Sequence, residues 1–266
     1  MMGKNEQLLE TAGTAAAMSP EEWQLRCDLA ACYQLADMYG MSDMAGTHIS
    51  ARLPGPENHF LVNTFGMFFD EITASSLIKV DLDGKVIGGD AKDLNPAGFV
   101  IHSAVHMARH DLVCVMHTHT RANNAIAMQK NGLLPLSQKA LLLWSFLRYH
   151  DFEGPALRLD ERERIVQDIG AEGRVVILRN HGALTVGQSV AEAFCWMYRL
   201  EAACRYQVDG CSGGQELAFV SPAMIERTAT SGKRSLSIGG HAEVGKLEWA
   251  ALIRKLEREK GTAYRT

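Results

Sequence analysis

Short apolar runs alternating with capped helical segments predict an α/β fold, in which a sheet is layered with helices. Three observations support this class. Several apolar runs are only about five residues long and end in polar or glycine residues, which suits strands better than core helices. The helical segments open on serine or proline caps. No period of about 20 to 50 residues recurs, which excludes a repeat protein. The 266 residues, 47% hydrophobic and 22% charged, can bury a sizeable core and fit one domain with a tail.

The order of elements follows from local signals. Residues 1–18 read as a flexible N-terminal arm, small and polar with no sustained period. Ser19-Pro20-Glu21-Glu22 opens a helix to about residue 39, stopped by Gly40. Strands are expected at 48–53, 59–63 and 78–82, the last turning at Asp83-Gly84 into Val86-Ile87, with a capped turn at 73–76. Pro96 opens a helix through about residue 109, and a buried strand follows at 112–117. A helix is expected at 120–129 and a leucine-rich segment at 133–147. Next come a charged helix at 160–170, a buried strand at 174–178 and a long helix at 189–208 capped by Ser189. Beyond Gly210 the pattern weakens, then returns as helices near 222–231 and 248–260. This divides the chain into the arm, a domain over 19–209 and a C-terminal helical tail over 210–266 that packs on the domain or on a neighbouring subunit.

Charge and composition exclude several classes. Twenty-seven basic against 31 acidic side chains give a net charge of −4 with no dense Lys/Arg block, so nucleic acid is not an expected partner. No stretch approaches the about 18 apolar residues of a membrane helix, and residues 1–7 lack the apolar core of a signal peptide. No membrane partner and a cytoplasmic location are therefore expected. The six cysteines (Cys27, Cys32, Cys114, Cys195, Cys204 and Cys211) contain no C-x-x-C pair and read as reduced, mostly buried small hydrophobes.

The chemistry concentrates at two strand ends. In Val113-Cys114-Val115-Met116-His117-Thr118-His119-Thr120, side chains at i and i+2 of an extended chain point the same way. The two imidazoles can converge on one ion, or stand as polar residues at a strand end. The second strand ends in Arg179-Asn180-His181-Gly182, and the glycine lets the backbone turn sharply or approach another chain closely. Three histidines at two strand ends suggest a metal, because imidazole nitrogens bind zinc at about 2.0 to 2.1 Å and open α/β sheets place sites at strand termini.

The span from about Trp23 to Val208 resembles the class II aldolase/adducin family. The residues that carry the resemblance are Thr47-His48-Ile49-Ser50-Ala51-Arg52, Glu71-Ile72-Thr73-Ala74-Ser75-Ser76-Leu77, Asn95-Pro96-Ala97-Gly98-Phe99, His117-Thr118-His119-Thr120 and Arg179-Asn180-His181-Gly182. The resemblance implies a three-layer αβα sandwich around a central mixed, mainly antiparallel sheet, assembled as a homotetramer or other homo-oligomer. It implies a divalent ion held by His117, His119 and His181, zinc in most aldolases and iron in related oxygenases. It also implies a small-molecule carbonyl or carboxylate substrate whose developing charge the ion stabilises.

The chain departs from the aldolases in two places. Gly98 stands where they carry an acidic residue, and Pro96, Ala97 and Phe65-Gly66 stand where they grip a sugar phosphate, so a phosphorylated substrate is disfavoured. His102, one helical turn beyond Gly98, is the candidate for proton transfer, since its unperturbed pKa of about 6.5 suits work near neutrality. His106 continues the series a turn further from the metal. His48, Ser50 and Asn63 match the family's substrate-facing region; Gln138, Tyr149 and His150 lie beyond the H-x-H helix and are further candidates to contact substrate, and Arg179 and Asn180 are candidates to orient the site or bind a carboxylate. The expected activity is a metal-dependent lyase that cleaves a C–C bond, aldol-type or by decarboxylation, in a small non-phosphorylated hydroxy- or oxo-acid. The alternatives are a non-haem iron oxygenase acting on an aryl 2-oxo acid and a non-catalytic adducin-like scaffold.

Overall fold

In the computed structural model, which describes residues 18–55, 58–87, 94–155 and 157–266, helix α1 (Pro20–Met38) starts as its sequence dictates. The Ser19 hydroxyl accepts from the Glu22 amide at 3.1 Å, and proline occupies the first turn, where its missing N–H is no loss. Seven strands among the described residues form one sheet: β1 (His48–Arg52), β2 (Phe60–Asn63), β3 (Leu77–Val80), β4 (Cys114–Thr118), β5 (Leu147–His150), β6 (Val175–Leu178) and β7 (Gly182–Gly187). Their order is β3-β2-β1-β4-β7-β6-β5. Every pairing is antiparallel except that of β5 with β6. The expected mixed, mainly antiparallel sheet and its α/β layering are thus the observed ones. The 1–18 arm lies outside the described residues apart from Met18.

The other helices are α2 (Pro96–Ala108), α3 (Arg121–Ala127), α4 (Gln138–Leu143), α5 (Glu161–Ile169), α6 (Val190–Ser212), α7 (Pro222–Leu236) and α8 (Glu248–Lys260). Strand alternation sorts them into layers. Ile49, Ala51, Cys114, Met116, Val175 and Ile177 point to one face, where α1, α3, α4 and α6 build the larger core around Trp196, Tyr33 and Phe194. Val115, Val176, Leu184 and Val186 point to the other face, against Ile101, Ala104 and Val105 of α2 and Ile165 and Ile169 of α5.

Two strands depart from the expected reading. Gly182–Gly187, not expected as a strand, is β7, buried along its whole length between β4 and β6. The leucine-rich segment holds α4 and then β5. Helix α6 runs four residues beyond the expected end, to Ser212, which leaves Cys211 exposed while the other five cysteines are buried. In the tail, α7 packs on α4, and α8 on α1 and α6. Leu236, Leu256 and Tyr264 join the main core.

Candidate metal centre

The register of the sheet assembles the site. On β1 and β4, His48 lies directly opposite His117, and both point to the α2 face. After Thr118 the chain leaves the strand, and the Thr120 hydroxyl caps α3 by accepting from the Asn123 amide at 3.2 Å. His119 sits between these two anchored threonines. His181 comes from the turn between β6 and β7, where Asn180 holds a left-handed conformation (φ 56°). Gly182 then lets β7 close on β4: a Cβ there would lie 2.5 Å from the Thr118 carbonyl oxygen and 2.9 Å from the His119 ring. The glycine is needed for this close approach.

His117, His119 and His181 each offer a ring nitrogen, and the three nitrogens lie within 4.8 Å of one another. Their tautomers follow from their partners. The Nδ1–H of His117 donates to the Ala183 carbonyl at 3.0 Å, and the Nδ1–H of His119 donates to the Asp43 carboxylate at 3.0 Å. A neutral ring with its proton on Nδ1 keeps Nε2 as a lone pair, and these two Nε2 atoms face each other 2.8 Å apart. Two facing lone pairs repel, and a cation between them removes the repulsion. The donor set thus fits a divalent ion, with outer partners of the kind that orient metal-bound histidines.

The electrostatics agree. Burial, then the neighbouring His48, His181 and His119, holds His117 well below the usual imidazole range. Burial, followed by His119 and His150, pushes His181 down to about 4. Both rings are neutral at physiological pH, the form a metal requires. Asp43 carries no spacing signal in the sequence, because it lies in the irregular loop between α1 and β1. Only its turn, closed by Gly46 N–H donating to the Asp43 carbonyl at 2.8 Å, brings its carboxylate to His119.

A second set of histidines begins where the first ends. His48 and His117 have ring centroids 5.1 Å apart. His48 Nδ1 lies 2.7 Å from His102 Nε2, His102 Nδ1 lies 2.5 Å from the Ser50 hydroxyl, and that hydroxyl lies 2.7 Å from His106 Nε2. All four side chains are buried. Burial and, behind it, the adjacent imidazoles hold His48 and His102 well below the usual range, while burial and Arg52 push His106 down to about 3. His102 thus reaches the triad through His48. A Cβ at position 98 would lie 2.6 Å from the His48 ring, so this imidazole fills the space that a side chain at Gly98 would need.

Several of the remaining candidates make framework contacts, and Arg179 and His150 also line a small cavity with His181. Asn63 accepts from the Tyr33 hydroxyl at 2.8 Å within the core. Arg179 donates to the Gln129 carbonyl at 2.9 Å beyond the end of α3, and its guanidinium stacks 4.2 Å from the Tyr149 ring. The Asn180 amide donates to the Ala127 carbonyl at 3.2 Å. The Tyr149 hydroxyl accepts from the Leu133 amide, and His150 bonds Asp168 and Glu161. A cavity of about 430 Å3 lined by Tyr39, Phe194, Tyr198 and Leu252 lies between α1, α6 and α8, and no triad histidine lines it.

A mixed sheet layered with helices, with three convergent histidines at the ends of its central strands, defines an α/β protein of the aldolase type. The chain belongs to the class II aldolase and adducin family, whose description, Class II Aldolase and Adducin N-terminal domain, matches residues 27–208. It is similar to an aldolase II superfamily protein of known structure from Pseudomonas syringae, at 47% identity and a TM-score of 0.87 over 95% of this chain and 99% of that one. It is also similar to an L-fuculose 1-phosphate aldolase from Glaciozyma antarctica PI12, at 26% identity and a TM-score of 0.78 over 92% of this chain and 93% of that one. Mouse alpha-adducin is 39% identical over 253 residues, which cover 91% of this chain but 34% of the adducin. Among the described residues no helix is long and apolar enough to cross a membrane.

Proposed function

We propose that this chain is a metal-dependent lyase that cleaves a C–C bond, by aldol-type or decarboxylation chemistry, in a small non-phosphorylated hydroxy- or oxo-acid. The observation that carries the reading is the convergence of the His117 and His119 Nε2 lone pairs, with His181 beside them. A divalent ion held by these three residues, zinc or iron, would polarise substrate oxygens and stabilise negative charge beside a carbonyl. The Ala183 carbonyl and the Asp43 carboxylate keep two of the three rings turned to receive it.

When the C–C bond breaks, its electron pair passes toward the adjacent carbonyl, and a donor is needed at the oxygen that gains charge. His48 borders the triad and is the nearest member of the second histidine set to it, so His102 acts on the site through His48. Similarity to the fuculose-phosphate aldolase supports lyase chemistry. Its phosphorylated substrate is not carried over, because Phe65, Gly66 and Pro96 offer no hydroxyl to a phosphate. A cytoplasmic homotetramer or other homo-oligomer completes the reading.

A second reading, a non-catalytic adducin-like scaffold, is favoured by the 39% identity to alpha-adducin and by the glycine at position 98. A cleavage screen over small hydroxy- and oxo-acids separates the two. The protein is expected to cleave at least one of them, and His119→Ala to lose at least about a hundredfold in rate. Equal turnover by both proteins, or none by either, overturns the lyase reading.

A further inference from the structure

We propose that Ser50, His102 and His106 form a hydrogen-bonded column that holds His48 as its Nε2–H tautomer, a neutral donor beside the triad. A neutral imidazole carries one proton and one lone pair, and a hydroxyl carries one proton. The three bonds His48–His102, His102–Ser50 and Ser50–His106 are therefore coupled. If His106 Nε2–H donates to Ser50, the hydroxyl donates to His102 Nδ1, His102 Nε2–H donates to His48 Nδ1, and the His48 proton is left on Nε2. If every bond reverses, His48 carries its proton on Nδ1 and His106 carries its own on Nδ1. A third arrangement, in which both imidazoles donate to Ser50, leaves the buried hydroxyl proton without an acceptor.

The far end of the column decides between the two directions. His106 Nδ1 is buried and has no hydrogen-bond partner, and Phe60 stacks on the ring with centroids 4.8 Å apart. An orphaned buried N–H is rarer in proteins than an under-satisfied acceptor, so this nitrogen is the lone pair. Arg52 adds to the preference: its guanidinium donates to the His106 carbonyl, and positive charge at that end favours a lone pair over an N–H. The proton of His106 then sits on Nε2, and the direction of the whole column follows.

At the near end, His48 Nε2 lies 2.8 Å from where a Cβ of residue 98 would stand and its ring centroid lies 5.1 Å from that of His117, so its N–H lies beside the Gly98 backbone at the border of the triad. There it can donate to a substrate oxygen that gains negative charge, without a buried cation. His48 would be the catalytic residue, and Ser50, His102 and His106 its positioning residues. Only this catalytic consequence rests on the lyase reading.

The test is two-bond 1H–15N correlation of the imidazole rings in the full-length, metal-free protein near neutral pH, with His48 assigned by loss of its signals in His48→Gln. The expected signature is protonated Nε2 with unprotonated Nδ1. Ser50→Ala is expected to turn it into a mixture of tautomers, and Ser50→Thr, which keeps the hydroxyl, to retain it. A wild-type His48 protonated on Nδ1 or on both nitrogens overturns the proposal, as does an unchanged signature in Ser50→Ala. If Ser50→Ala fails to fold, the wild-type assignment decides alone. On any substrate that is cleaved, His48→Gln, whose amide nitrogen matches Nε2, should keep about tenfold more kcat than His48→Asn with little difference in KM. The Nε2–H signature in a protein that cleaves nothing would sink the lyase reading and keep the column. Cleavage with the opposite tautomer would do the reverse.

Discussion

At the ends of the three central strands β1, β4 and β7, two groups of histidines stand with rings about 5 Å apart, and their hydrogen bonds run in opposite senses. In the triad, His117 and His119 each spend Nδ1–H on an oxygen outside the group, Ala183 or Asp43, and turn Nε2 inward as a lone pair. In the column, His48 Nδ1, both nitrogens of His102 and His106 Nε2 bond one another or Ser50. The first arrangement concentrates lone pairs and calls for a cation. The second distributes protons and needs none. What an imidazole does here is set by the second partner of each ring rather than by the residue type.

This contrast can be broken from either side, and the largest effect should come from the triad side. Gly182→Val places a Cβ 2.5 Å from the Thr118 carbonyl. It is expected to destabilise the protein by about 3 kcal/mol in urea unfolding and to strip the metal. Gly98→Ala drives into the His48 ring instead, and should alter the column while bound metal is retained. Metal loss from both variants, or from neither, would mean that the two groups are not separate devices.

The column should reveal itself next as acid sensitivity. His106 is held at about 3 against 6.5 for the free side chain, so the unfolded chain binds the extra proton between these values. The contribution is fully present above about pH 6.5 and is lost as pH falls toward 3, at about 1.4 kcal/mol per pH unit. Urea midpoints measured across that range should fall less steeply in His106→Gln than in the wild type. Equal slopes would show that His106 is not buried as a neutral ring.

The smallest effect is expected at Asp43, whose side chain is 46% exposed. Asp43→Ala should weaken metal affinity by about tenfold in a chelator competition. An unchanged affinity would remove Asp43 from the set of groups that orient the triad.

Much of this was legible in the sequence, for physical reasons that differ by residue. The H-x-H pair was readable because alternation in a strand is strict, and His181 because it ends an apolar run before a glycine. Helix α1 was readable from its cap. Strand β7 was not: Gly-Ala-Leu-Thr-Val-Gly is buried on both faces, so the polar and apolar alternation that marks a half-exposed strand is absent. Strand β5 was hidden by the leucine run before it. Asp43 was invisible because a loop has no period. The i, i+4 spacing of Gly98, His102 and His106 was correctly placed on one helix, but which of these faces the triad depended on β1, whose register inserts His48 between them and the triad. Arg179 and Asn180 were readable as polar residues at a strand end, while their framework contacts come from the end of α3 and the segment after it, some 50 residues away in sequence.

The central claim is that the imidazoles of His117, His119 and His181 form a metal site. Metal content by mass spectrometry on untagged protein purified anaerobically, beside the His117→Ala/His119→Ala double variant, tests it most directly. The account predicts near-stoichiometric zinc or iron in the wild type and loss of it in the variant, with iron moving an oxygenase to first place among the possible activities. No metal in either protein, or equal metal in both, would contradict it.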